Sequence, residues 1–264
     1  MIVITGATGN VGRPLVQTLT AAGEEVLPVS RNGAHRADLT EPETLKPALD
    51  DAKAVFLLTS ADFLANGNLQ QVVDVIRGAG VPRVVLLSSQ GVTTQRHPSI
   101  HEDAVTGSGL EWTILRPGNF ASNAFAWADS IRTQRAMAAP FADVALPAVD
   151  PQDIAEVAAA ALREPGHADA VYTLTGPAAI SPRQQAEVIQ TAIGTPISFT
   201  ELTRDQARAG MLNFMPEPVV EATLDVLSSP TPAEQAVSPD VEKVLGRTPH
   251  TFADWVNRNL QAFR

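Results

Sequence analysis

The chain has 264 residues, no cysteine, and 19 Lys+Arg against 29 Asp+Glu, a formal charge of −10. Without cysteine there is no disulfide framework and no thiolate zinc or iron–sulfur site, and the acidic balance argues against the basic face that nucleic acid requires. No apolar run nears the ~20 residues of a membrane span. Met1 leads into an apolar strand without a basic leader, so the expectation is a mature, soluble, cytoplasmic protein with no nucleic acid or membrane partner. Lys46, Lys53 and Lys243 are the only lysines, and Tyr172 is the only tyrosine.

Ile2-Val3-Ile4 reads as a short strand buried on both faces and ending at Thr5-Gly6. A helix follows from about Val11, with Pro14 tolerated in its first turn and Leu15, Val16 and Leu19 apolar behind it. Glu25–Ser30 is the next strand. Thr40-Glu41-Pro42-Glu43 forms a capping box that opens a short helix to about Leu49. Ala54–Leu58 is a buried strand, and Leu69, Val72, Val73 and Ile76 mark one helical face ended by Gly78 and Gly80. Val84–Leu87 is a strand stopping at Ser88-Ser89, a weaker helix covers Ser99–Thr106, and Trp112–Leu115 is a strand stopping at Arg116-Pro117-Gly118.

Beyond Phe120 the pattern loosens. A helix of mixed character is predicted over about Ser122–Met137. Asp150-Pro151 opens a helix with Ile154, Val157, Ala158, Ala161 and Leu162 on one face, and Val171–Leu174 is a strand. Ser181-Pro182-Arg183-Gln184 caps another helix, Ile197–Thr200 is a strand, and residues 203–237 are helical in parts between prolines. A last helix turns Phe252, Trp255, Val256 and Leu260 inward. Alternating strands and helices predict an α/β fold, a doubly wound parallel sheet with a smaller C-terminal α/β lobe. The division expected is a nucleotide-binding domain over 1–140 and a substrate lobe over 141–264.

Gly6-Ala7-Thr8-Gly9-Asn10-Val11-Gly12 sits between the first strand and the first helix. Gly6 serves a tight turn, Gly9 lets backbone approach a pyrophosphate, and Gly12 allows close helix–strand packing, the fingerprint of a Rossmann-type dinucleotide site. The helix N-terminus then offers N–H groups and a partial positive charge to phosphate. NAD-binding chains usually end the second strand on a carboxylate for the ribose 2′-OH. Here Ser30-Arg31-Asn32 stands instead, and Arg31 suits the 2′-phosphate of NADP(H).

These stretches, with Ala37-Asp38-Leu39-Thr40, Leu86-Leu87-Ser88-Ser89 and Trp112 through Phe120, together resemble the NmrA-like branch of the atypical short-chain dehydrogenase/reductases, bacterial NAD(P)H:quinone oxidoreductase-like members above all. The resemblance runs essentially end to end, through Val144–Ile154 and Val244–Pro249. It implies that Thr8, Gly9, Asn10 and Val11 line the pyrophosphate turn, that Asp38 and Leu39 flank the adenine, and that Thr59 and Ser60 pass beside the cofactor ribose. Pro117, Gly118, Asn119 and Phe120 would lie near the nicotinamide. Thr59, Ser88 and Pro117 also stand at strand carboxyl ends, where open α/β sheets bind ligands. Six residues separate Arg31 from Asp38, too few for the usual crossover helix. The third strand is therefore expected to be short or displaced and the adenine side of the site open.

The wider superfamily's Tyr-x-x-x-Lys acid is missing: Tyr172 has no lysine four residues on, and no lysine lies between Ser88 and Pro117. His101 stands near the place of the absent tyrosine and is the candidate acid, with His97 four residues before it on what would be the same helical face. An exposed histidine beside Glu102 and Asp103 is the alternative. A metal set of His97, His101, Glu102 and Asp103 has nothing in the sequence to fix its geometry. Phe120, Phe125, Trp127, Phe141, Phe214 and Met215 are candidates to line an apolar substrate pocket, and Met211–Met215 a lid. The expected function is an NADPH-dependent oxidoreductase passing hydride to a flat, apolar quinone, enone or related conjugated small molecule. The alternatives are an NADP(H)-sensing regulatory protein and a biosynthetic reductase or isomerase, and a homodimer is left open.

Overall fold

The computed structural model describes residues 1–60, 63–64 and 67–264. Its described residues fall into two compact units: Met1–Pro117 with Pro151–Leu174 and Pro239–Arg247, and Gly118–Asp150 with Thr175–Ser238 and Thr248–Arg264.

The first unit holds a parallel sheet. Its strands are β1 (Ile2–Thr5), β2 (Val26–Ser30), β3 (His35–Arg36), β4 (Ala54–Leu58), β5 (Arg83–Leu87), β6 (Glu111–Pro117) and β9 (Ala170–Leu174), in the order β3-β2-β1-β4-β5-β6-β9. Val3 pairs with Leu27 on one side and Val55 on the other, and Val55 with Val84. Those residues are apolar on both pleats because helices cover both faces. On one face lie α1 (Gly12–Ala21) and α6 (Pro151–Arg163), which pack on each other, with Gln152 Nε2 3.4 Å from Thr18 Oγ1. On the other, α2 (Leu69–Gly78) drives Leu69, Val72, Val73 and Ile76 into one core with Val3, Val55, Val84, Ile114 and Val105 of α4 (Ile100–Thr106). Each such side chain contributes roughly 1.5–3 kcal/mol by leaving water. The strand order reverses between β1 and β4, and ligands of such sheets bind at that switch point.

Two local expectations change. The capping box at Thr40 does not form. Thr40 instead gives its N–H and its hydroxyl to Asp38 Oδ1 (2.9 and 2.8 Å), and Glu41 starts a 3-10 helix over Pro42–Ala48. Pro47, inside it, has no N–H for an α-helical bond. His97 does not share a face with His101, because α4 begins only at Ile100 and His97 lies in the preceding turn, its ring against Gly91. The Arg31–Asp38 connection holds β3, two exposed residues bonded in parallel to Val29 and Ser30.

The second unit contains β7 (Ala136–Pro140), β8 (Leu146–Pro147), β10 (Ala179–Ile180) and β11 (Ser198–Leu202), paired as β7 with β11 and β8 with β10. The single helix expected over 122–137 is a 3-10 stretch (Ala121–Trp127) and α5 (Ala128–Gln134), closed at Arg135 in the left-handed region (φ 52°). Met137 is then a buried strand residue rather than a helical one. The helix α7 (Pro182–Ile193) carries the expected box, Ser181 Oγ accepting from Gln184 N and Gln184 Oε1 from Ser181 N. It packs with Phe252, Trp255 and Val256 of α12 (Phe252–Arg258), the intervening helices being α8 (Arg204–Met211), α9 (Glu217–Ser228), α10 (Pro232–Gln235) and α11 (Asp240–Leu245). Pro218 and Pro232 sit in the first turns of α9 and α10, so they open helices rather than break them. No helix among the described residues is long and apolar enough to cross a membrane.

Candidate functional site

The carboxyl ends of β1, β2 and β4 surround a cleft of about 230 Å³ lined by Thr5, Gly6, Thr8, Gly9, Arg31 and Asp38, with Leu39, Ser60 and Phe63 completing its wall. Its floor is fixed by Thr5, whose buried hydroxyl donates to Phe56 O (3.0 Å) and accepts from Leu58 N (2.9 Å), stitching β1 to β4. Gly6 turns the chain with φ +62°, a conformation costly for any residue with a Cβ. Gly12 is required by space: a Cβ there would stand 2.2 Å from Gly6 O. Val11, the residue before α1, supplies no side-chain cap. Pro14 brings no N–H to the first turn, and Arg13 N donates to Gly9 O at 3.1 Å.

Of the residues the sequence singled out, Gly6, Thr8, Gly9, Arg31, Asp38, Leu39 and Ser60 line this one cleft. Asn10 and Val11 continue the turn into α1, and Thr59 follows β4 directly. The cleft does contain a carboxylate, one the end of β2 does not show. The Thr40 N–H and hydroxyl, with the Arg31 charge adding to them, hold Asp38 below the usual carboxylate range. Ser88 follows β5 directly, its N–H donating to Leu115 O at 2.8 Å. Pro117 ends β6. Gly118, Asn119 and Phe120 begin the second unit, where Asn119 O accepts from Val149 N (2.7 Å) and Phe120 bridges Val149.

His101 is half-buried in α4, and burial pushes its pKa below the ordinary histidine value. Its ring lies against Phe63, the same residue that lines the cleft. Among the described residues no three His, Asp or Glu side chains group as metal ligands. Asp103 instead accepts from Ser99 Oγ at 2.9 Å, and Glu102 is buried against Ser88 and Arg116. Tyr172, in β9, puts its hydroxyl 2.8 Å from His167 Nδ1.

The candidate substrate-pocket residues are spread through the second unit. Phe125 packs on Trp255 (4.8 Å, edge-on) and Phe263, and Trp127 donates its indole N–H to Ala138 O at 3.0 Å. Phe141 and Met215 pack on Ala207, Val220 and Leu224, while Phe214 is 73 % exposed just beyond α8. Two participants escaped the sequence reading. Phe63 looks like any core aromatic, and the burial of Glu102 is set by Ser88 and Arg116, which no local pattern ties to it.

Residues 6–165 match the model of the NAD(P)H-binding family. The chain is 34% identical to (4-alkanoyl-5-oxo-2,5-dihydrofuran-3-yl)methyl phosphate reductase of Streptomyces griseus, over 100% of this chain and 99% of that one. It is 30% identical to the NAD(P)H azoreductase of Xenophilus azovorans, over 100% and 99% of the two chains. In fold it matches the NADPH-dependent quinone oxidoreductase of Escherichia coli solved with NADPH (TM-score 0.82, 22% identical, 98% of this chain and 100% of that one). The glycine-rich turn, the sheet order and these likenesses agree: the chain belongs to the NAD(P)H-binding family, has the fold of the NmrA-like atypical short-chain dehydrogenase/reductases, and is an NAD(P)H-dependent oxidoreductase.

Proposed function

We propose that the chain passes hydride from NADPH to a flat, conjugated small molecule, a quinone, an enone or a related acceptor, without a Tyr–Lys pair. The observation that carries this reading is the cleft itself, where Gly6, Thr8 and Gly9 of the glycine-rich turn and Arg31 line one cavity. The turn from Gly6 through Val11 holds the pyrophosphate on backbone N–H groups, and Arg31 takes the 2′-phosphate through charge-assisted bonds. Asp38 and Leu39 bound the adenine side, Thr59 and Ser60 the ribose, and Ser88 and Pro117 the nicotinamide half. Bound NADPH supplies the hydride. A conjugated acceptor spreads the incoming charge, so the protein has chiefly to position the two reactants. The sole tyrosine lies in β9 with its hydroxyl against His167 Nδ1; on this reading water or His101 supplies the proton. The similar proteins support the acceptor class, since their names specify an alkanoyl-substituted oxo-dihydrofuran, an azo compound and a quinone.

The test is direct. Purified protein is mixed with NADPH and a panel of quinones, azo dyes and unsaturated lactones, and the reduced-nicotinamide absorbance is followed. Turnover with at least one acceptor, faster with NADPH than with NADH, is expected. Tight NADP+ binding with no turnover across the panel overturns the catalytic reading.

A further inference from the structure

A buried ionic cluster at the ends of β5 and β6 is left unused by the reading above. Glu102 is 4 % exposed, and its carboxylate is held by Ser88 and Arg116, side chains from other segments. Its Oε1 accepts from Ser88 Oγ at 2.5 Å and from Arg116 Nε at 3.0 Å, and its Oε2 accepts from Arg116 Nη2. Arg116 is itself steadied by Thr93, to whose Oγ1 its Nη1 donates at 3.1 Å. Both oxygens of this carboxylate are taken up as acceptors, by the guanidinium and by the serine hydroxyl. The one hydrogen of the Ser88 hydroxyl is therefore committed to Glu102. What Ser88 offers any ligand is a lone pair, not a proton.

Ser88 follows the carboxyl end of β5, one strand beyond the switch point between β1 and β4. A dinucleotide crossing there lays its nicotinamide half over the β4–β5 side. On the nicotinamide ring the one hydrogen-bond donor is the carboxamide N–H₂. We propose that Ser88, held as an acceptor by Glu102, receives this N–H, and that Glu102 is the positioning residue that sets the direction of the hydroxyl. The proposal rests on the cofactor reading above and adds to it a polarity. It also withdraws Ser88 as a hydrogen-bond donor to the acceptor's carbonyl.

The experiment compares dissociation constants for NADPH and for its reduced 3-acetylpyridine analogue, in which a methyl group replaces the carboxamide amino group. Wild type, Ser88→Ala and Glu102→Gln are measured by tryptophan-fluorescence titration. Wild type should prefer NADPH by about fivefold, the worth of one hydrogen bond. Ser88→Ala should bring the ratio to about one through weaker NADPH binding alone. Glu102→Gln, whose amide can donate to the serine oxygen and occupy its lone pair, should lower the ratio with Ser88 still in place. A Glu102 that merely anchors Arg116 would lower the melting temperature of that variant and leave the ratio unmoved. A wild-type ratio of one, or a Ser88→Ala protein that keeps the wild-type ratio, overturns the proposal. A wild-type chain that binds neither nucleotide overturns the cofactor reading and this proposal with it.

Discussion

The rings of Phe63 and His101 meet with centroids 5.9 Å apart and planes tilted by 42°. Phe63 is almost wholly buried and walls the cleft at the carboxyl ends of β1, β2 and β4, with the one histidine of α4 against its ring. Burial against such a ring disfavours the imidazolium, and the His101 pKa falls below its ordinary value of about 6.5. If His101 gives the acceptor its proton, kcat/KM should rise as pH falls from about 7 toward 5, since only the charged form donates with this driving force. His101→Ala should flatten that profile and lower turnover at its acid end by about 10²-fold. The same depression means that the unfolded chain holds the proton better than the fold does. Stability conferred above about 6.5 is therefore lost as pH falls through the lowered folded value, and His101→Ala should remove that acid-side loss. A full-rate His101→Ala enzyme at every pH assigns the proton to water.

Arg31 stands on the cleft rim, and its charge reaches Asp38. A hydrogen bond to a charged partner contributes about 1.5–3 kcal/mol. Arg31→Ala should therefore weaken NADPH by about 10- to 100-fold and leave NADH unchanged, as read by fluorescence titration with each nucleotide. Arg31→Glu should reverse the preference. Equal losses for both nucleotides would place Arg31 on the shared pyrophosphate instead.

The parallel sheet could be read from the chain because continuous apolar runs such as Ile2–Ile4 and Ala54–Leu58 fit strands buried on both faces, whatever lies far away in sequence. The glycine-rich turn was equally legible, since Gly6 and Gly12 answer to local backbone geometry and to contacts within one turn. Where long-range pairing decides, the pattern was silent. Ala136–Pro140 has little strand propensity and is a strand because β11 lies beside it, from Ser198 opposite Ala136 to Leu202 opposite Pro140. Thr40 was read as a helix cap, but Asp38, two residues back, competes for the same hydroxyl. Nothing local marks Glu102 as buried; its burial depends on Arg116, fourteen residues on and in another element.

Two ion pairs should differ in worth according to the burial of their carboxylates. Arg247 donates to Asp153, which is fully buried in α6, and to Glu156 one turn on. Arg247→Ala takes the guanidinium from a buried carboxylate and should cost about 3 kcal/mol or more in chemical denaturation. Arg208 bonds Glu217 and Glu221 between α8 and α9, where every partner is substantially exposed. Arg208→Ala should leave the denaturation midpoint close to that of the wild type. Comparable losses in the two variants would contradict the assignment of burial as the deciding term.

Gly12 gives the sharpest separation of packing from ligand chemistry. Its missing Cβ would meet Gly6 O at 2.2 Å and Ala7 Cα at 2.8 Å, both backbone atoms of the phosphate turn. Neither can move without pulling Gly6 from its φ of +62° or lifting α1 off β1. Overpacking at such a site costs about 1–3 kcal/mol, and the relief displaces the turn whose N–H groups would grip the pyrophosphate. Gly12→Ala should therefore lower the unfolding midpoint and weaken NADPH and NADH alike, in contrast to Arg31→Ala. Gly23→Ala is the control, since a Cβ there has nothing within 4 Å and its φ of +78° confines the cost to the backbone. It should lose about 1 kcal/mol of stability with both nucleotide affinities intact. If Gly12→Ala keeps wild-type affinity for both nucleotides, the turn from Gly6 to Gly12 is not where the pyrophosphate binds.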